Sequence, residues 1–132
     1  MNAFEKALLI VEAALNKKSH DVVVLQIEHL ASIADYFVIA SGLSTVQVAA
    51  IVQGIEERLQ QEGIVPLSVE GLPHAHWVAL DYDDVVIHVF YEPVREVYRL
   101  ESIWGDASFV ALPEPLRTQA QSLSSRLVAP RA

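Results

Sequence analysis

Near its start the chain places Phe4, Ala7, Leu8, Val11, Ala14 and Leu15 at helical spacing, which predicts an amphipathic helix from Ala3 to about Lys17. The period then changes. "DVVVLQI" (21–27) is dense in β-branched residues, and its unbroken run Val22 to Leu25 predicts a strand covered on both faces. "YFVIASG" (36–42) is a second such strand. Ser44 and Gln47 follow it with the spacing of a capping box, and Val48, Ile51, Val52, Ile55 and Leu59 give the next helix one apolar face. Gly63 is placed to end that helix.

"IVPLSVE" (64–70) predicts a third, short strand, broken by "GLP". Residues 76–82 and 85–91 alternate around Asp83-Asp84, which predicts a hairpin. Pro93 suits the first turn of a helix whose apolar stripe is Val94, Val97, Tyr98 and Trp104, with Gly105 as its stop. The element order is α-β-β-α-β-β-β-α. Strand, helix and strand through 36–70 imply a right-handed crossover and a parallel pair. The hairpin adds antiparallel strands. The expected fold is α/β, a mixed five-stranded sheet flanked by helices.

After Phe109 the pattern lapses. Pro113, Pro115 and Pro130 flank a polar stretch. The reading is an α/β domain over 1–110 and an extension over 111–132, either a short surface helix or a mobile tail.

In a two-residue hairpin, Tyr82 faces Val85, Leu80 faces Ile87 and Val78 faces Val89 on the core side. The opposite face pairs Asp81 with Val86, Ala79 with His88 and Trp77 with Phe90. Asp81 then lies diagonal to His88, within reach of a charge-assisted hydrogen bond. Each residue has a plain alternative. His88 suits a satisfied histidine on a half-covered sheet, Trp77 and Phe90 suit packing, and Asp83 with Asp84 suits turn chemistry.

Composition narrows the function. Apolar residues make up 52% of the 132, enough for one core. No apolar run reaches membrane-spanning length. Glu5 and Glu12 make the first segment read as a folded helix, not a signal peptide. Cysteine is absent, which excludes disulfide and thiolate chemistry and suits a reducing cytoplasm. The net charge of −8 is concentrated: residues 70–106 hold eight acids against Arg95 and Arg99. That argues against docking along a phosphate backbone and for a basic protein partner.

"SGLS" (41–44) between strand and helix, with "DYD" (81–83) later, resembles the phosphate turn and paired carboxylates of nucleotidyltransferases. The spacing fails, because Asp83 falls in the loop and no lysine or arginine stands near either motif. No phosphate loop, nucleophile elbow or HExxH is present. No catalytic residue, metal ligand or cofactor site is expected.

"DYFVIASG", "VEGLP", "WVALDYDDVVIHVF" and "YRLESIWGD" resemble, in order and spacing, the Iojap family of bacterial ribosomal silencing factors (RsfS) over roughly residues 3–110. The resemblance implies a nucleotidyltransferase-like fold without the catalytic apparatus. It implies binding to the large ribosomal subunit through protein uL-fourteen at the intersubunit face, and a block on small-subunit joining when nutrients are scarce. Carried over by motif, the partner-binding candidates are Trp77, Asp81, Tyr82, His88 and Phe90 in the hairpin block, and Tyr98, Leu100 and Trp104 in the next. Asp35, Tyr36, Gly42, Ser44 and Gln47 read as scaffold. Family members commonly have Gly where this chain has Asp83, which implies a more strained turn here. Two other readings compete: a metal-dependent nucleotidyltransferase, and a dimerising adaptor with another protein target; a homodimer formed through the aromatic patch would compete with docking for it.

Overall fold

The computed structural model describes residues 1–28, 33–99 and 107–124. Helix α1 (Ala3–Asn16) opens on a capping box in which Asn2 and Glu5 satisfy each other's backbone N–H. Strands β1 (His20–Gln26) and β2 (Tyr36–Gly42) pair antiparallel. Helix α2 (Thr45–Gln60) begins at Ser44, whose hydroxyl accepts from Gln47 N, while Gln47 Oε1 accepts from Leu43 N rather than from the Ser44 amide. Then come β3 (Ser68–Glu70), β4 (Trp77–Asp81), β5 (Val85–Tyr91), α3 (Glu92–Tyr98), β6 (Ser108–Phe109) and α4 (Leu116–Ser122).

The mixed α/β sheet is as expected, but with six strands, in the order β3-β4-β5-β2-β1-β6. β6 pairs only two residues, opposite Leu25 and Gln26, too short a run to show any periodicity. The expected parallel pairing of β2 with β3 is corrected: the parallel neighbour of β2 is β5, and β3 lies at the sheet edge beside β4. Burial explains the choice. β5 carries Val85, Ile87 and Val89 on one face and Val86, His88 and Phe90 on the other, so it belongs in the centre. β3 exposes Ser68 and Glu70 and suits an edge.

Helices α1 and α2 cover one face, over a core that includes Ile10, Val11, Val38, Ile51, Ile55, Leu80 and Ile87. The other face holds a smaller cluster, Leu25, Ile27, Phe37, Ile39 and Phe90, with Val94 of α3 packed on it. The Val22–Leu25 run divides between the two, as its unbroken apolarity implied. Residues 110–124 return along β1. Val110 N donates to Val24 O, Asp21 N donates to Leu123 O, and Leu116 joins the larger core.

Helix α3 departs from its expected stripe. It ends at Tyr98, with Arg99 in the left-handed region at φ 48°. Val97 is exposed, and the buried position is Arg95, 1% accessible. Its guanidinium donates from Nη1 to Asp21 O (2.6 Å) and Ser41 Oγ (2.8 Å), tying α3 to the ends of β1 and β2. An arginine inside a helix gives no apolar signal, so the pattern could not anticipate it. Trp104 and the Gly105 stop lie outside the described residues.

Candidate docking surface

The hairpin register is the expected one: Trp77 opposite Phe90, Val78 opposite Val89, Ala79 opposite His88, Leu80 opposite Ile87 and Asp81 opposite Val86. Tyr82 N donates to Val85 O and closes the turn. Asp83 sits at φ 75°. Its amide donates to Asp81 Oδ1 at 2.8 Å, so the Asp81 carboxylate caps the turn. Lys6 of α1 donates to Tyr82 O and to Asp84 Oδ1 (2.6 Å). Asp84 O accepts from the amides of Asp35 and Tyr36. The turn is thus held from below by α1 and from the side by the start of β2. Glycine at 83 adopts φ > 0 without a Cβ clash, so Asp83→Gly should raise stability by about 0.5–1 kcal/mol in chemical denaturation. A loss of stability would show that the Asp83 side chain supports the turn.

The candidate residues fall into two groups. Trp77 is half-buried at the start of β4. Its indole stacks on Phe90 (centroids 5.0 Å apart, planes at 29°) and meets Tyr98 of α3 at 4.8 Å. Tyr98 is half exposed, and Asp81 is partly so. These three can meet a partner. Phe90 and His88 lie beneath them, at 0% and 8% accessibility. Tyr82 points the other way, into the core under the helices, as strand alternation requires. Burial pushes its hydroxyl up to about 12, with Glu56 adding to the shift. Leu100 and Trp104 lie outside the described residues.

The expected Asp81–His88 contact does not form. His88 Nδ1 instead accepts the Trp77 indole Nε1–H at 3.0 Å, and the ring meets Phe37 edge-on at 4.9 Å. Burial lowers the His88 pKa from 6.5 to about 4. The folded protein therefore keeps it neutral while an unfolded chain protonates it below about pH 6.5. Its stabilising contribution is complete above pH 6.5 and is lost as pH falls towards 4, on the order of 2–3 kcal/mol. Denaturant midpoints taken between pH 7 and 4 should show this slope, and His88→Asn should flatten it. Equal slopes in both proteins would remove His88 from the acid response.

Sequence reading missed two supports of the site. Gly71, taken only as a strand breaker, has φ +90° and packs against the Trp77 carbonyl. Lys6 anchors the turn from 76 residues away, and no local pattern reveals that. Among the described residues, no group of three or more His, Asp or Glu could hold a metal ion, and no helix is long and apolar enough to cross a membrane.

Known proteins share this architecture. A family model described as "Ribosomal silencing factor during starvation" matches residues 1–130. The chain is 41% identical over 112 residues to the ribosomal silencing factor RsfS of Halalkalibacterium halodurans, covering 85% of this chain and 96% of that one. It is 30% identical over 104 residues, 76% of this chain and 46% of the other, to the mouse protein named "Mitochondrial assembly of ribosomal large subunit protein 1". A crystal structure of a Chromobacterium violaceum protein superposes with a TM-score of 0.78 at 31% identity, covering 86% of this chain and 92% of that one.

Proposed function

Because the chain belongs to the ribosomal silencing factor family, we propose that it docks on the large ribosomal subunit and represses translation by keeping the small subunit away. The observation that carries this reading is the family match, which runs from residue 1 to 130 and so takes in the whole hairpin and α3. The partner is ribosomal protein uL-fourteen at the intersubunit face, and the setting is a cytoplasm short of nutrients. The block is steric: a bound domain of this size fills space that the small subunit must enter.

Trp77, Tyr98 and Asp81 form the contact surface, with His88 and Phe90 as its floor. Aromatic anchors suit the role because they bring large area at low entropy cost. Charge suits it too. Between Arg58 and Arg95 the chain has six acids and no lysine or arginine, so the surface favours a basic partner. Self-association through the same aromatic patch would produce a homodimer that competes with docking.

In this reading the protein is not an enzyme and takes no cofactor. Asp81 is committed to capping the turn and Asp84 to Lys6, so the hairpin acids do not converge as a hard cation requires. Calorimetry with Mg²⁺ or Mn²⁺ should give no stoichiometric micromolar site. A site that disappears in Asp81→Asn would revive the nucleotidyltransferase reading. The silencing itself is tested by mixing purified subunits with the protein and following 70S formation by light scattering. Joining should slow and its extent fall as protein is added, and unaltered joining at saturating protein would refute the proposal.

A further inference from the structure

The buried side of the aromatic patch gives His88 a specific task. Tryptophan has one hydrogen-bond donor, and Trp77 directs it inward, to His88 Nδ1 at 3.0 Å. Accepting at Nδ1 fixes the neutral imidazole with its proton on Nε2. That Nε2 is buried and has no hydrogen-bond partner among the described residues. A phenyl ring would fill the same space against Phe37 and Phe90 without an unpaired N–H, so packing alone does not account for an imidazole here. What the imidazole adds is the acceptor.

We propose that His88 is a positioning residue for Trp77: it holds the indole proton from below, so that the docking surface offers an apolar ring with no donor left to satisfy. This rests on the docking reading and deepens it by naming the chemistry the partner must bring. A partner meeting Trp77 and Tyr98 needs no acceptor at the indole nitrogen. It needs a flat apolar or cationic group, such as the stem and head of a basic side chain lying on the rings beside Asp81. Three contacts then set the indole plane: Phe90 beneath it, Tyr98 beside it and His88 at its nitrogen.

The test compares His88→Phe, which keeps ring volume without an acceptor, with His88→Asn, whose Oδ1 falls near the original Nδ1. Each is made in the wild-type chain and in Trp77→Phe. Two readouts are taken: the indole N–H proton resonance of Trp77, identified by its loss in Trp77→Phe, and affinity for isolated large subunits. His88→Phe should shift the resonance and weaken binding roughly fivefold to tenfold. His88→Asn should restore most of both. In Trp77→Phe, the His88→Phe change should have no further effect on binding, because its route is gone. An unmoved resonance in His88→Phe, or an equal loss of binding in the Trp77→Phe background, would overturn the proposal. If the wild-type protein fails to bind large subunits, the docking reading falls, and the resonance alone decides whether His88 holds Trp77.

Discussion

Gly71→Ala should destabilise the fold by about 3–5 kcal/mol, combining positive-φ strain with overpacking. Gly71 adopts φ +90°, and a Cβ built there would stand 2.1 Å from the Trp77 carbonyl oxygen and 3.1 Å from its carbon. The obstacle is backbone within the first residue of β4, so no rotamer change relieves it. Either the β3–β4 connection opens or Trp77 moves. Gly63 supplies the control. It too has positive φ, at +75°, but nothing lies within 4 Å of its built Cβ. Gly63→Ala should therefore cost only the strain, about 1–2 kcal/mol. Chemical denaturation of the two variants separates clash from conformation. Equal losses would mean that the close approach at Gly71 contributes nothing.

Trp77→Ala should weaken binding to large subunits by about 2–4 kcal/mol, the range of an aromatic anchor. Its cost to folding should be smaller than the roughly 3–5 kcal/mol of a fully buried tryptophan. The structure gives the reason. The indole rests on Phe90 and Tyr98, but Trp77 keeps part of its surface open, whereas Phe90 beneath it is fully enclosed. Phe90→Ala should show the reverse balance, unfolding the protein before any effect on docking can be measured. Denaturation and subunit pelleting on the same purified Trp77→Ala protein decide the matter. A variant that is badly destabilised, yet binds normally when folded, would assign Trp77 to the core and leave Tyr98 as the anchor among the described residues.

What could be read in advance depended on how local each signal was. The hairpin register followed from strict alternation around Asp83-Asp84: five of the six predicted pairs lie opposite each other in the ladder, and the sixth, Tyr82 with Val85, closes the turn through one hydrogen bond. The same alternation already placed Tyr82 in the core, so only its motif neighbours had suggested a partner contact. The neighbour of β2 was not legible, because strand order depends on which strand can be buried on both faces, and that is a property of the whole set. Asp81 and His88 were close enough to pair on paper. Two nearer partners prevailed: the Asp83 amide for the carboxylate, and the Trp77 indole for the imidazole. Arg95 and Lys6 act across 74 and 76 residues of chain, beyond the reach of any window of periodicity.

Docking on the large subunit is the claim on which the rest depends. Its most direct test is sedimentation of the protein with separated large and small ribosomal subunits, at matched concentrations and salt. The protein should pellet with large subunits to a saturable one-to-one limit and stay in the supernatant with small subunits. Pelleting with small subunits alone, or with neither, would contradict the account.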